Sequence, residues 1–200
     1  MRLFVAVHLP EQITARLGAV QDQLRSAQAD VSWVRPGNIH LTLKFLGETE
    51  TARLEDIRAA LTAAARGSEP FAFELRGLGS FGGRVPRVVW VGVERGAEPV
   101  TRLAEQIEAG LARLGFPREK RGFTAHLTLG RARSPRNAER LLSALAEWRR
   151  EGFGDVTVAE FLLMESRLDP RGSIYTVLQP FPLARIIHEG HANNPGLPEQ

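Results

Sequence analysis

The tetrapeptide His40-Leu41-Thr42-Leu43 recurs as His126-Leu127-Thr128-Leu129, and this repeat decides how the chain is interpreted. Each copy lies in a run of strand-forming residues. Side chains alternate between the two faces of a strand, so the histidine and threonine of each copy are expected on one face. The two leucines then point into a core. The repeat predicts two equivalent strands that each present an imidazole and a hydroxyl to solvent.

Hydrophobic periodicity around the two copies indicates a duplicated α+β fold. Four segments have helical spacing, and strand-like runs lie between them. The helical segments are marked by Ile13 to Leu24, Leu54 to Leu61, Val100 to Leu114 and Leu141 to Trp148. The strand-like runs are Arg2 to His8, Ile39 to Leu46, Phe71 to Leu75, Arg87 to Glu94, Thr124 to Arg131, Val156 to Met164 and Ile174 to Leu178.

The order strand, helix, strand, helix, strand occurs in the first half and again from about Arg87. An internal duplication of this kind predicts two pseudo-symmetric lobes. Each lobe is expected to be a small, mainly antiparallel sheet covered by helices, with the active-site groove between the lobes. We predict one bilobal domain over residues 1–185 and a flexible tail over residues 186–200, where Gly, Pro and Asn occur without periodicity.

Composition excludes several classes of protein. The chain has 200 residues, of which 43% are hydrophobic, and it contains no cysteine. Disulfides, zinc–thiolate sites and cysteine nucleophiles are therefore ruled out. The N-terminal apolar run is short and reads as a first strand, and no run reaches the roughly 20 residues of a membrane span. We expect a cytoplasmic monomer that does not associate with membranes.

The chemistry of the paired motif favours phosphoester cleavage. A histidine on an exposed strand face is usually only a surface residue, but a core has no need of His followed by Thr twice. Two imidazoles can serve as general base and general acid at one pH. Threonine hydroxyls can donate to phosphoryl oxygens. No carboxylate shares the reactive face of either motif, so a metal site is disfavoured and no cofactor is expected.

The sequence around both motifs resembles that of the two-histidine (2H) phosphoesterases. Within that superfamily it resembles the RNA 2′,3′-cyclic phosphodiesterases, also named 2′-5′ RNA ligases. The matching stretches are Arg2 to Val7, Trp33-Val34, Asn38 to Glu48, Phe123 to Arg131, and Met164 to Leu168 with Gly172 and Tyr175. The resemblance extends from about Arg2 to Leu183. It implies hydrolysis of RNA 2′,3′-cyclic phosphate ends, such as those of tRNA halves, to a 2′-phosphate.

The resemblance also implies roles for individual residues. His126 would activate water and His40 would protonate the departing 3′ oxygen, while Thr42 and Thr128 hold the phosphoryl oxygens. The symmetric motif itself does not say which histidine is acid and which is base. The other expected substrate-binding residues are Lys44, Phe45 and Arg131.

Strict alternation of side chains along a strand places these three residues on different faces. Lys44 shares a face with His40 and Thr42, so it is expected near the phosphate. Phe45, a candidate for stacking on a base, and Arg131 fall on the opposite face unless their strands bend. The basic residues Arg118, Lys120 and Arg121 suit either RNA steering or a solvated loop.

Two other patterns are discounted. Gly77 to Gly82 matches the spacing of a dinucleotide-binding loop, but a strand-like run follows where a helix is required, so we interpret it as a loop between strands. The run from His188 to His191 resembles a metal motif only superficially.

Four functions remain open at this point. Hydrolysis of cyclic RNA ends is the hypothesis that the motifs favour most. The alternatives are 2′-5′ joining of RNA halves at the same site, hydrolysis of a small cyclic nucleotide or ADP-ribose derivative, and an RNA-end binding module without turnover.

Overall fold

A computed structural model describes residues 1–170 and 172–184. Within these ranges nine strands pair antiparallel into one curled sheet, and four helices cover it. The strands are β1 (Arg2–Val7), β2 (Val31–Trp33), β3 (Leu41–Glu48), β4 (Phe71–Phe81), β5 (Val88–Val93), β6 (His126–Ala132), β7 (Gly152–Val158), β8 (Glu160–Arg167) and β9 (Ile174–Pro182). The helices are α1 (Glu11–Leu24), α2 (Leu54–Arg66), α3 (Ala97–Arg113) and α4 (Ala138–Glu147).

The sheet consists of two lobes. Its strand order is β7-β4-β5-β6-β3-β1-β8-β9, with β2 added alongside β6. At the centre, β3 and β6 meet through the single residue pair Leu41 and Leu127. We call β1, β3, β8 and β9 with α2 and α3 the first lobe. The second lobe is β2, β4, β5, β6 and β7 with α1 and α4. The predicted α+β class is confirmed.

Each lobe draws on both halves of the sequence. Helix α1 follows β1 but packs against β7 and α4, and α3 follows β5 but packs against β3 and α2. Strand β4 pairs with β5, while β8 pairs with β1. The repeats therefore exchange equivalent helices and strands, and the lobes do not correspond to consecutive stretches of chain.

The helices follow the predicted apolar spacing. Along α1 the residues Ile13, Leu17, Val20 and Leu24 are all buried. A stripe of this kind stabilises a helix mainly through packing onto a sheet. None of the helices within the described ranges is long and apolar enough to cross a membrane.

Three details differ from the sequence prediction. The run Val156 to Met164 is two strands, because the chain bends at Ala159 and passes from the second lobe to the first. Both strands contribute buried apolar residues, so the run looks continuous in the sequence. Strand β2 was not predicted, because three residues are too few to show alternation. Gly77 to Phe81 belongs to β4 and is not a loop. His188 and His191, like the tail, lie outside the described residues.

Candidate active site

The two histidines occupy equivalent positions in the sheet. His126 is the first residue of β6, and His40 lies one residue before β3. The Nδ1 atom of His40 lies 2.7 Å from the carbonyl oxygen of Asn38, and Nδ1 of His126 lies 2.7 Å from that of Thr124. A carbonyl only accepts, so Nδ1 must carry the proton and donate it. In both neutral imidazoles Nε2 is therefore the basic nitrogen.

A groove lies along the seam between the lobes. Its main cavity, of about 570 Å³, is lined by His40 and Thr42 from the first lobe and by Thr128 and Arg131 from the second. Leu41 and Leu127 point to the opposite face and are completely buried. The alternation predicted for both tetrapeptides therefore holds up to the threonine.

Beyond each threonine the strand bulges. Thr42 pairs with Ala6 and Lys44 with Val5, so Leu43 is an extra residue in β3. Thr128 pairs with Trp90 and Gly130 with Val89, so Leu129 is the extra residue in β6. A bulge places two successive residues on the same side and shifts the alternation that follows.

The bulges bring Phe45 and Arg131 to the groove. Both line the cavity, and Phe45 is 56% exposed. Without the bulge these side chains would fall on the core side, which explains the ambiguity in the sequence. They occupy the same position in the two repeats, so the site carries an aromatic ring in one lobe and a guanidinium in the other.

The placement of Lys44 near the phosphate was wrong. Because of the bulge at Leu43, Lys44 lies on the helix side of the sheet and is only 4% exposed. Its ammonium donates to Glu108 Oε1 at 2.9 Å and to the carbonyl oxygen of Pro117 at 2.8 Å, and it lies 3.6 Å from Glu119 Oε1. It does not line the cavity.

Sequence reasoning missed the aromatic side chains that surround the histidines. The ring of Phe4 lies 4.9 Å from that of His40, and the ring of Tyr175 lies edge-on at 5.3 Å. Phe81 lies edge-on to His126 at 5.0 Å. In the sequence, Tyr175 could be recognised only as a match to the family. Phe81 was not recognised because it lies in the glycine-rich stretch that was interpreted as a loop but belongs to β4.

The cavity suits an anion. Its lining includes two guanidinium groups, Arg2 and Arg131, and no carboxylate among the residues that the structure describes there. Burial lowers the pKa of His40, the hydrogen bond to Asn38 raises it, and the nearby charge of His8 lowers it; the net shift is downward. Desolvation disfavours the imidazolium, so His40 favours the neutral form in the free protein.

The groups that commonly bind metals do not cluster in the described part of the chain. Residues 1–170 and 172–184 contain no group of three or more His, Asp or Glu residues that could hold a metal ion. The groove instead offers imidazole, hydroxyl and guanidinium groups, which are suited to acid–base chemistry on a phosphate.

Comparison with known proteins identifies the family of this chain. Residues 5–170 match the model of the 2′-5′ RNA ligase superfamily. The RNA 2′,3′-cyclic phosphodiesterase of Methanothermobacter thermautotrophicus is 38% identical over 92% of this chain and 99% of that protein. The protein of the same name from Thermus thermophilus is 38% identical over 98% of this chain and 97% of that protein.

Solved structures show the same architecture. The crystal structure of E. coli LigT complexed with 3′-AMP matches with a TM-score of 0.77 and 27% identity, over 92% of this chain and 98% of that chain. TT0787 of Thermus thermophilus matches with a TM-score of 0.76 and 37% identity, again over 92% of this chain and 98% of that chain. The resemblance carried by the two motifs is confirmed, and this chain belongs to the 2′-5′ RNA ligase superfamily of 2H phosphoesterases.

Proposed function

We propose that this protein hydrolyses 2′,3′-cyclic phosphate ends of RNA to 2′-phosphates through His40 and His126. The observation that carries the proposal is the matched pair of histidines, each with Nδ1 held by a backbone carbonyl so that Nε2 is the basic nitrogen. His40 lines the cationic cavity; His126 does not line it but begins the strand that brings Thr128 to it. The names of relatives that are 38% identical over nearly the whole chain support the same activity.

The shape of the cavity favours one assignment of acid and base. Apart from Thr128 and Arg131, its lining comes from the first lobe and from the segment leading to His40, and it includes Arg2, Phe45 and Tyr175. We propose that a nucleoside bound in this space presents its ribose oxygens to His40, which suits His40 as the acid that protonates O3′. Displacement at phosphorus is in line, so the attacking water then approaches from the side of His126.

The reaction balances with these two groups. Nε2 of His126 removes a proton from water as its oxygen bonds to phosphorus. The bond from phosphorus to O3′ breaks, and Nε2 of His40 protonates the leaving oxygen. Thr42 and Thr128 donate to the non-bridging oxygens, where negative charge accumulates.

The remaining groups bind the nucleotide. The guanidinium of Arg131 suits charge-assisted hydrogen bonds to the phosphate. Phe45, exposed at the rim of the cavity, suits stacking on a base. His40 must be protonated to act as the acid, and the negative charge of a bound phosphodiester favours the imidazolium, in the opposite direction to burial.

Joining of RNA halves is a second candidate because the matched family is described by 2′-5′ RNA ligation. A 5′-hydroxyl would replace water as the nucleophile, and His126 would take its proton. The reaction conserves the number of phosphoester bonds, so it needs no nucleotide energy source. Broken tRNA halves carry the two ends required.

The test compares a short RNA ending in a 2′,3′-cyclic phosphate with the corresponding cyclic mononucleotide, in the presence of EDTA. We expect a 2′-phosphate product and a higher kcat/KM on RNA. Equal or higher kcat/KM on the mononucleotide would indicate a small-molecule phosphodiesterase. Tight RNA binding without product would indicate a binding module, and loss of activity in EDTA restored by a divalent ion would overturn the metal-free mechanism.

The size of the active species is checked in the same preparation. The groove is built from the two lobes of one chain, so we propose that a monomer is active. Sedimentation at the assay concentration should give a single species close to the 22.1 kDa of the chain. The cytoplasmic location stays a prediction.

A further inference from the structure

The chain segment that precedes each histidine crosses to the strand of the opposite repeat. Residues 31–39 lead to His40 and lie beside β6, where β2 pairs and the Val34 N–H donates to Leu129 O at 2.9 Å. Residues 117–125 lead to His126, and Pro117 lies beside Lys44 of β3. Thr124 in the second segment supplies the carbonyl that holds His126. The placement of each imidazole therefore depends on its segment.

The first segment is held by a ladder and by one buried amide. Gln21 of α1 is 2% exposed, and its Nε2 donates to Val34 O at 2.7 Å and to Leu129 O at 2.8 Å. Leu129 is the extra residue of the bulge in β6. Gln21 thus ties the segment to the strand that carries Thr128.

The second segment has no such ladder. Pro117 lacks the N–H that a strand pairing would need. The ammonium of Lys44 donates to its carbonyl instead, and Glu108 Oε1 accepts both from Lys44 and from the Glu119 N–H at 2.6 Å. Side-chain hydrogen bonds therefore hold this segment in place, whereas backbone pairing holds the first segment.

The two arrangements use equivalent positions. Gln21 lies between buried Val20 and Leu24 of α1, as Glu108 lies between buried Ile107 and Leu111 of α3. Lys44 and Gly130 each follow the extra residue of their bulges. A Cβ on Gly130 would lie 2.6 Å from Val31 Cγ1, so glycine there admits β2, whereas in the other repeat the side chain of Lys44 reaches the carbonyl of Pro117.

We infer that Lys44, together with Glu108, is a positioning residue that holds residues 117–125 and thereby sets His126 for catalysis without touching the substrate. This inference rests on the proposed function for its kinetic consequence, but its structural part is independent of activity. A buried ammonium bound to a carboxylate and a carbonyl is costly to disrupt, because removing it leaves Glu108 without its cation.

The kinetic test replaces Lys44 with methionine, which keeps the length of the chain and removes the charge. On RNA with a cyclic end we expect K44M to lower kcat by about 10- to 100-fold, since a displacement of about 1 Å has effects of this size. KM and inhibition by inorganic phosphate should stay within about twofold, and K44R should recover part of kcat. The control is Arg102→Met, which removes an exposed ion pair with Glu98 elsewhere on α3.

Two kinetic results would contradict the role proposed for Lys44. If K44M raises KM or weakens phosphate inhibition while kcat is unchanged, Lys44 acts on the substrate and the inference fails. If K44M, K44R and wild type have the same kcat and KM, the segment does not need Lys44.

The structural test does not depend on activity, and its labelling step needs no variant. Lys44 and Lys120 are the two lysines of the chain, so an amine-reactive label should modify exposed Lys120 quickly and leave Lys44 protected. In K44M, amides of residues 118–125 should exchange hydrogen faster, and those of β7 should not. Equal labelling of both lysines, or unchanged exchange in the segment, would overturn the inference. If wild type shows no turnover, the proposed function fails, while labelling and exchange still decide the role of Lys44.

Discussion

At the residue scale, the two histidines share a hydrogen-bond environment but differ in their surroundings. Each donates from Nδ1 to the carbonyl two residues before it. His40 packs against Phe4 and Tyr175, and burial lowers its pKa because it disfavours the charge, whereas His126 packs edge-on against Phe81. The two tetrapeptides are identical, so the different surroundings of the histidines come from the neighbouring elements. The same holds for the cavity, which is lined mostly by the first lobe.

We predict that His40→Ala and His126→Ala each lower kcat/KM on cyclic-ended RNA by about 10²- to 10⁴-fold, the usual contribution of a general acid or base. Residual activity should distinguish the roles in a pH–rate profile. His40→Ala should lose the alkaline limb, because that limb reports loss of the acid's proton, and His126→Ala should lose the acid limb. The reverse pattern would exchange the roles of acid and base.

We also predict that His40 makes stability depend on pH. Its pKa in the folded protein lies below the ordinary value of about 6.5, so the unfolded chain takes up a proton first as the pH falls. The contribution of His40 to stability is complete above about pH 6.5 and is lost as the pH falls through its folded pKa. Urea midpoints measured from pH 8 to pH 5 should fall less in His40→Gln than in wild type.

The neighbouring histidine supplies the control for this experiment. The charge of His8 lowers the pKa of His40, so His8→Gln should reduce the decline only in part. Identical pH dependence in wild type and His40→Gln would show that His40 is not the source of the effect.

At the scale of elements, the periodic features could be predicted from the sequence and the irregular ones could not. The four helices and the faces of His40, Thr42, His126 and Thr128 follow from local spacing. The bulges depend on pairing with β1 and β5, which no local pattern records. A single extra residue in β3 therefore moved Lys44 away from the groove and brought Phe45 into it.

We predict that Gly130→Val disturbs the site through β2. A side chain at this position collides with Val31 and Trp33, so β2 and the segment leading to His40 must move. Overpacking of this kind costs about 1–3 kcal/mol of unfolding free energy. Denaturant midpoints and kcat/KM should both fall. Gly67→Ala, at the end of α2, where a Cβ meets nothing closer than 3.6 Å, should change neither; equal effects of the two substitutions would contradict the prediction.

At the scale of the whole molecule, we expect the exchange of elements to make the lobes one folding unit. The main hydrophobic core is a single cluster of buried residues that includes Ile57 and Leu61 of α2 in the first lobe and Phe73 and Phe153 of β4 and β7 in the second. Two independent domains of 200 residues in total would each have a core and a separate transition.

We therefore predict one cooperative unfolding transition that a substitution in either lobe shifts as a whole. All three tryptophans, Trp33, Trp90 and Trp148, report on the second lobe, because they lie in β2, in β5 and directly after α4. Ile57 is completely buried in the first lobe, and Ile57→Ala should cost about 2–5 kcal/mol. Tryptophan fluorescence should show the loss in full, at the same denaturant concentration as circular dichroism. A fluorescence transition left at the wild-type midpoint would mean that the second lobe unfolds on its own and that the exchanged elements do not couple the two lobes.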